Sequence, residues 1–81
     1  MRYKMNLEKL DESEKFIVMW QYRLLGDFKK ALIECIIRAD DDNLIRFSLG
    51  FPNEVRGYKK YAEMPGWWKE VQKKAGIIEP D

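Results

Sequence analysis

Apolar residues recur along this chain at three- and four-residue spacings, in five blocks set apart by capping and breaking residues. The first block starts at Asp11. Its carboxylate is placed to accept from the amide three residues on, and Glu14 to reach back, the two halves of a capping box. The pattern predicts a helix from there to about Leu25, with Gly26 as its left-handed stop. Asp27 then caps a second helix that runs to Arg38 or Ala39. Asp41 or Asp42 caps a short third helix, Asn43 to Leu49, ended by Gly50. Pro52 suits the first turn of a fourth helix, where a missing amide has no intrahelical partner to lose, and that helix reaches Glu63 or Met64. Pro65-Gly66 breaks it. Trp67 to Ala75 forms a fifth helix, closed by Gly76 and followed by the apolar pair Ile77-Ile78. No stretch alternates with period two for long enough to make a strand. The expected fold is all-α: residues 11–81 form one compact bundle of about five short helices, and residues 1–10 form an N-terminal extension from which Leu7 and Leu10 can dock.

The faces of the first two helices are broader than a surface helix needs. On the first, Phe16, Ile17, Trp20 and Leu24 form one stripe, and Val18, Tyr22 and Leu25 form a second on the far side. On the second, Phe28, Leu32, Cys35, Ile36 and Ala39 make the main face, widened by Ile33 and Ile37. An ordinary surface helix carries an apolar arc of little more than about 100°. Two arrangements account for the surplus. Either the first helix is central and wrapped by the other four, or one stripe is left for an interface. In the second case Val18, Tyr22 and Leu25, with Ile33 and Ile37, would join two copies as a homodimer. Ile77-Ile78, folding back, would compete for the same space.

Composition narrows the chemistry. A chain of 81 residues is one domain, and at this size it buries only about 60–65% of its unfolded surface. With 46% apolar residues and a net charge of +1 it is neither disordered in composition nor strongly polarised overall. Histidine is absent and cysteine occurs once, which removes the usual zinc sets, the Ser-His and Cys-His nucleophile pairs and any disulfide within the chain. Cys35 is expected to be a buried, inert thiol among Leu32, Ile36 and Ala39. The run Asp40-Asp41-Asp42-Asn43 lacks the calcium-loop pattern, because the sixth and twelfth positions counted from Asp40 are Ile45 and Pro52. Glu34 and Glu70 are the acids flanked by apolar neighbours inside helices, and both are expected to pair with nearby lysines. No catalytic residue, metal ligand or cofactor site is expected, and the chain reads as a non-enzyme. It has no leader pattern near Met1 and no apolar run long enough to span a bilayer, so a soluble cytoplasmic protein is expected.

Charge is sorted into blocks, and this points to binding. Between Gly50 and Gly76 lie Arg56, Lys59, Lys60, Lys69, Lys73 and Lys74 against Glu54, Glu63 and Glu70, with Tyr58, Tyr61, Trp67 and Trp68 among them. Adjacent helical residues diverge by about 100°, so one of Trp67 and Trp68 is expected to pack and the other to stay partly exposed. Trp and Tyr beside Arg and Lys is the composition of a protein-binding hot spot. The predicted contact surface is Arg56, Lys60, Tyr61, Trp67, Trp68 and Lys69. The alternative is nucleic-acid binding through a helix-turn-helix: Leu44 to Leu49, a Gly50-Phe51-Pro52 turn, and a recognition helix Asn53 to Met64 offering Arg56, Lys59 and Lys60. Arg46 stands where a small buried residue belongs, and the aspartate run would repel phosphate.

The chain resembles small accessory proteins encoded by bacteriophages and prophages. The resemblance rests on Trp20-Gln21-Tyr22-Arg23, Gly26-Asp27-Phe28, Ala39-Asp40, Asn43-Leu44, Gly50-Phe51-Pro52 with Glu54-Val55, and Gly66-Trp67-Trp68. It implies a bacterial cytoplasm as the setting and a host or phage macromolecule as the partner. It brings no activity and no catalytic residues.

Overall fold

The computed structural model describes residues 6–78, which form five α-helices after one short 3-10 turn, Leu7–Lys9. The helices are α1 (Glu12–Gln21), α2 (Asp27–Arg38), α3 (Asp41–Gly50), α4 (Pro52–Glu63) and α5 (Trp67–Lys74). There is no strand among the described residues, so the all-α expectation holds. Residues 1–5 of the expected extension lie outside the described residues. The rest of that extension is docked: Leu10 is buried, and the Asn6 amide donates to the Ala75 carbonyl at 2.8 Å.

The helix ends are set by local chemistry. Asp11 and Glu14 close the capping box on α1, with bonds of 2.8 and 2.9 Å. The cap of α3 is Asp40, whose Oδ1 accepts from the Asn43 amide at 2.9 Å, so Asp41 and Asp42 lie inside the first turn rather than capping it. α1 ends at Gln21, a turn earlier than the sequence predicts. Arg23 takes the left-handed position, φ 59°, with its amide donating to the Trp20 carbonyl and the Leu24 amide to the Met19 carbonyl. That is a Schellman closure with arginine where glycine usually sits. Gly26 is extended instead and serves as the N-cap residue of α2, a place expected for Asp27. α5 closes with the same pair of bonds, Gly76 to Lys73 and Ile77 to Gln72, around a glycine at φ 74°. Phe51 alone links α3 to α4, and Pro52 opens α4 as predicted.

Two cores lie on opposite sides of α1. Phe16 and Ile17 join Leu32, Ile33 and Ile36 of α2 and Val55 of α4. Val18 turns the other way, onto Leu10, Val71, Ala75 and Ile77. Residues of both predicted stripes are therefore used inside the chain, although Leu24, expected in the first, lies beyond the end of α1 and is exposed. α1 is central in this sense, but α4 is the helix that packs on every other one, most extensively on α1. The α1–α4 approach is close because Gly57 faces the backbone of Ser13. Lys29 crosses from α2 to Glu54 of α4 at 2.9 Å, with its ammonium 5.6 Å from the Phe16 ring centre. Glu14, nearly buried, receives the Lys74 ammonium at 2.7 and 2.9 Å and ties α1 to the end of α5.

α2 is rotated from its predicted face. Leu32, Ile33 and Ile36 are buried, whereas Phe28 is 64% exposed and Cys35 faces solvent. Cys35 is thus a surface thiol and not the buried one expected. Leu32, Ile33 and Ile36 are the residues of α2 that join the core with Phe16, Ile17 and Val55, and Lys29 bridges to Glu54 beside them.

Candidate functional site

Trp20 lies in the last turn of α1, which ends at Gln21 with Tyr22 as its C-cap residue. Tyr58 and Tyr61 stand three residues apart on α4, so they share a face. Trp68 is the second residue of α5, set by the Pro65-Gly66 break in which Gly66 adopts φ 82°. Packing brings these rings into one unbroken series. Tyr58 meets Trp20 at 6.4 Å between ring centres, Trp20 meets Tyr61 at 5.3 Å, Tyr61 meets Trp68 at 5.7 Å, and Trp68 meets Tyr22 at 6.5 Å. The first three contacts are edge-to-face, the geometry that sets a positive ring edge on a negative ring face. Every ring in the series is half-buried. The series packs on the two cores below and still offers ring surface to solvent.

At Trp20 the series opens on a cavity of about 350 Å³ between the end of α1 and α2. Leu25 and Ile33 form its apolar wall with Trp20, while Arg23, Lys30 and Glu34 bring charge to it. Neither Arg23 nor Lys30 forms a salt bridge among the described residues, so two cations stand beside an apolar recess with one acid. Glu34, expected to pair with a lysine, does not. Lys30 precedes it by one turn, the weaker order for such a pair. Glu70 does pair, with Lys73 at 3.4 Å.

The predicted contact residues divide. Tyr61, Trp67 and Trp68 come together at the α1–α4–α5 junction. The two tryptophans do not split into one packed and one exposed ring, because both are half-buried and both touch both cores. Lys60 and Lys69 adjoin the rings in sequence, half-buried and exposed respectively. Arg56 lies elsewhere. Five residues from Tyr61, it is turned about 140° around α4, donates to Asn53 Oδ1 at 3.1 Å and lines the groove between α3 and α4. Trp20, Tyr22, Arg23 and Lys30 are members of the site that the sequence pattern does not place there. The signal is present in Trp20-Gln21-Tyr22-Arg23, an aromatic pair with a following arginine, but the helical periodicity assigns Trp20 to a core stripe.

The self-association stripe is corrected. Val18 is fully buried under Val71, Ala75 and Ile77 and has no surface to give to a second copy, while Tyr22 and Leu25 are half-buried. Ile33 is also fully buried. Ile77 has folded back and filled the space.

No protein-family model matches this chain, and neither a curated protein nor a solved structure matches it. The fold and site define a small all-α bundle with a packed aromatic face ending at a cation-flanked recess. No helix among the described residues is long and apolar enough to cross a membrane.

Proposed function

We propose that this chain is a non-enzymatic protein-binding module whose contact surface is the Tyr58–Trp20–Tyr61–Trp68–Tyr22 face together with the recess at Trp20. The observation that carries the reading is that series of half-buried rings in mutual contact. Such rings have already lost most of their rotamer freedom, so a partner that covers them gains apolar contact at little further entropic cost. Trp, Tyr and Arg are also the side chains that dominate binding energy at protein interfaces. The recess suits an apolar anchor residue of the partner, and Arg23 and Lys30 favour a carboxylate beside that anchor. Lys60 and Lys69 extend the same preference along the rim. The resemblance to phage accessory proteins directs the search to bacterial host and phage proteins in the cytoplasm.

Nucleic-acid binding through residues 53–64 has less support. A recognition helix must project into a groove, but α4 packs on all four other helices, and Arg56 and Lys59 share their groove with Asp41.

The test is an affinity capture from bacterial lysate with wild type, Arg23→Glu and Trp68→Ala, each checked for retained helicity by circular dichroism. The expected outcome is a protein held by wild type, lost by both variants, and retained through moderate salt. Identical captured proteins from all three would reject this surface. Capture of nucleic acid that falls steeply with ionic strength would favour the alternative.

A further inference from the structure

A second surface lies away from the aromatic face, on α3. This helix contains no buried residue and rests chiefly on α4 through the half-buried Leu44 and Phe47. One turn apart on its outer side, Ile45 is 62% exposed and Leu49 82% exposed. Between α3 and α4 runs an open groove of about 650 Å³ with Leu44 and Val55 in its lining. Arg56 and Lys59 stand on its α4 side and Asp41 on its α3 side. Arg56 has only the neutral Asn53 amide as a side-chain partner, and Lys59, Asp41 and Asp42 enter no salt bridge among the described residues.

We propose that this groove is filled by α3 of a second copy of the chain, in a two-fold antiparallel arrangement. The charge pattern selects that occupant. A uniformly acidic ligand, phosphate backbone or peptide, would be drawn to Arg56 and Lys59 but repelled by Asp41 in the same groove. A basic ligand meets the converse. A second copy answers both signs at once. With the two α3 helices antiparallel, Ile45 and Leu49 of each copy lie in the groove of the other. The acidic first turn of each α3 then runs beside Arg56 of the other copy. An isologous contact of this kind needs one self-complementary patch and closes at two chains. It replaces the stripe of Val18, Tyr22 and Leu25, whose Val18 the chain's own tail covers, and it leaves the aromatic face of each copy open.

Sedimentation equilibrium and light scattering on the full chain, from low micromolar to hundreds of micromolar, decide it. The expected result is a concentration-dependent rise toward twice the 9.7 kDa chain mass. Leu49→Glu, at a site exposed enough to leave folding intact, keeps the helicity and holds the chain monomeric. Arg56→Glu weakens association about tenfold or more, and Asp41→Arg combined with Arg56→Glu restores it. A chain that stays monomeric throughout overturns the proposal, as does a dimer indifferent to Leu49→Glu and Arg56→Glu. A monomer whose Arg56 and Lys59 amide resonances shift on adding duplex DNA or an oligo-glutamate peptide also overturns it and assigns the groove to that ligand. A wild-type chain that stays monomeric while lysate capture is intact would sink this inference alone, because Ile45 and Leu49 lie outside the aromatic face.

Discussion

Gly57 of α4 lies directly against the main chain of Ser13 in α1: a methyl group at its Cα would sit 2.6 Å from the Ser13 carbonyl oxygen and 3.1 Å from Ile17 Cγ1. The obstacle is backbone, which cannot swing aside as a side-chain tip can. Gly57→Ala gains about 1 kcal/mol of helix propensity. It forces apart the most extensive helix pair of the fold, and overpacking of that kind costs typically 1–3 kcal/mol, with a backbone clash at the upper end. The clash wins, and a net loss of about 2 kcal/mol is expected in urea unfolding. Gly50, at the end of α3, has nothing within 4 Å of the same position. Gly50→Ala is expected to be neutral or to stabilise by about 0.5 kcal/mol, which makes it the control.

This contact also marks the limit of what the sequence discloses. Caps and breaks are local chemistry, so Asp11, Pro52, Pro65-Gly66 and Gly76 can be read directly, and with them the number and order of the helices. Helix faces depend on neighbours. Gly57 looks like a propensity defect in an otherwise strong helix, and only the Ser13 backbone opposite gives it a reason. The rotation of α2 has the same origin, since Ile33 and Ile36 are buried with Phe16, Ile17 and Val55, which lie far from them in sequence. The candidate site is half legible. Tyr61, Trp67 and Trp68 stand out by composition, whereas Trp20 joins them only once α1 and α4 cross at Gly57.

Arg23 is the left-handed residue that closes α1, and arginine is a poor choice there on conformational grounds alone. A residue with a Cβ pays about 1 kcal/mol or more in that region, while glycine's extra freedom in the unfolded chain offsets part of the gain from replacing it. Arg23→Gly is therefore expected to leave thermal stability unchanged or to raise the midpoint by a few degrees. If the guanidinium serves the recess at Trp20, the same variant captures less partner. Lower stability together with unchanged capture would assign Arg23 a structural role instead.

Cys35 faces solvent on α2, so its thiol is open to reagent in the native state. Titration with an aromatic disulfide under native conditions is expected to release one equivalent of thiolate promptly. The rate should increase little on adding denaturant. A thiol that reacts only after unfolding would contradict the rotation of α2. Cys35→Ser is expected to change stability by less than about 0.5 kcal/mol, the range of ordinary surface substitutions.

The second core tests whether the chain's end is part of the fold. Ile77 is 5% exposed and covers Val18, and its amide completes the closure of α5 by donating to the Gln72 carbonyl at 2.9 Å. Ile77→Ala keeps that bond and removes only apolar contact. Burial in a core so near the surface allows some collapse, so the loss is placed toward the low end of the usual range, about 2 kcal/mol. Lys74→Met probes the same end by a different force. The Lys74 side chain is half exposed, so solvent screens its bond to Glu14, and about 1 kcal/mol is expected. Glu14→Ala should cost more than Lys74→Met. Glu14 serves both Lys74 and the Asp11 amide, and alanine can accept neither bond. Unfolding midpoints that rank Ile77→Ala below wild type, and Glu14→Ala below Lys74→Met, would place both the tail and the ion pair within one cooperative unit with α1. A separate low-temperature transition in Ile77→Ala would show instead that the second core melts on its own.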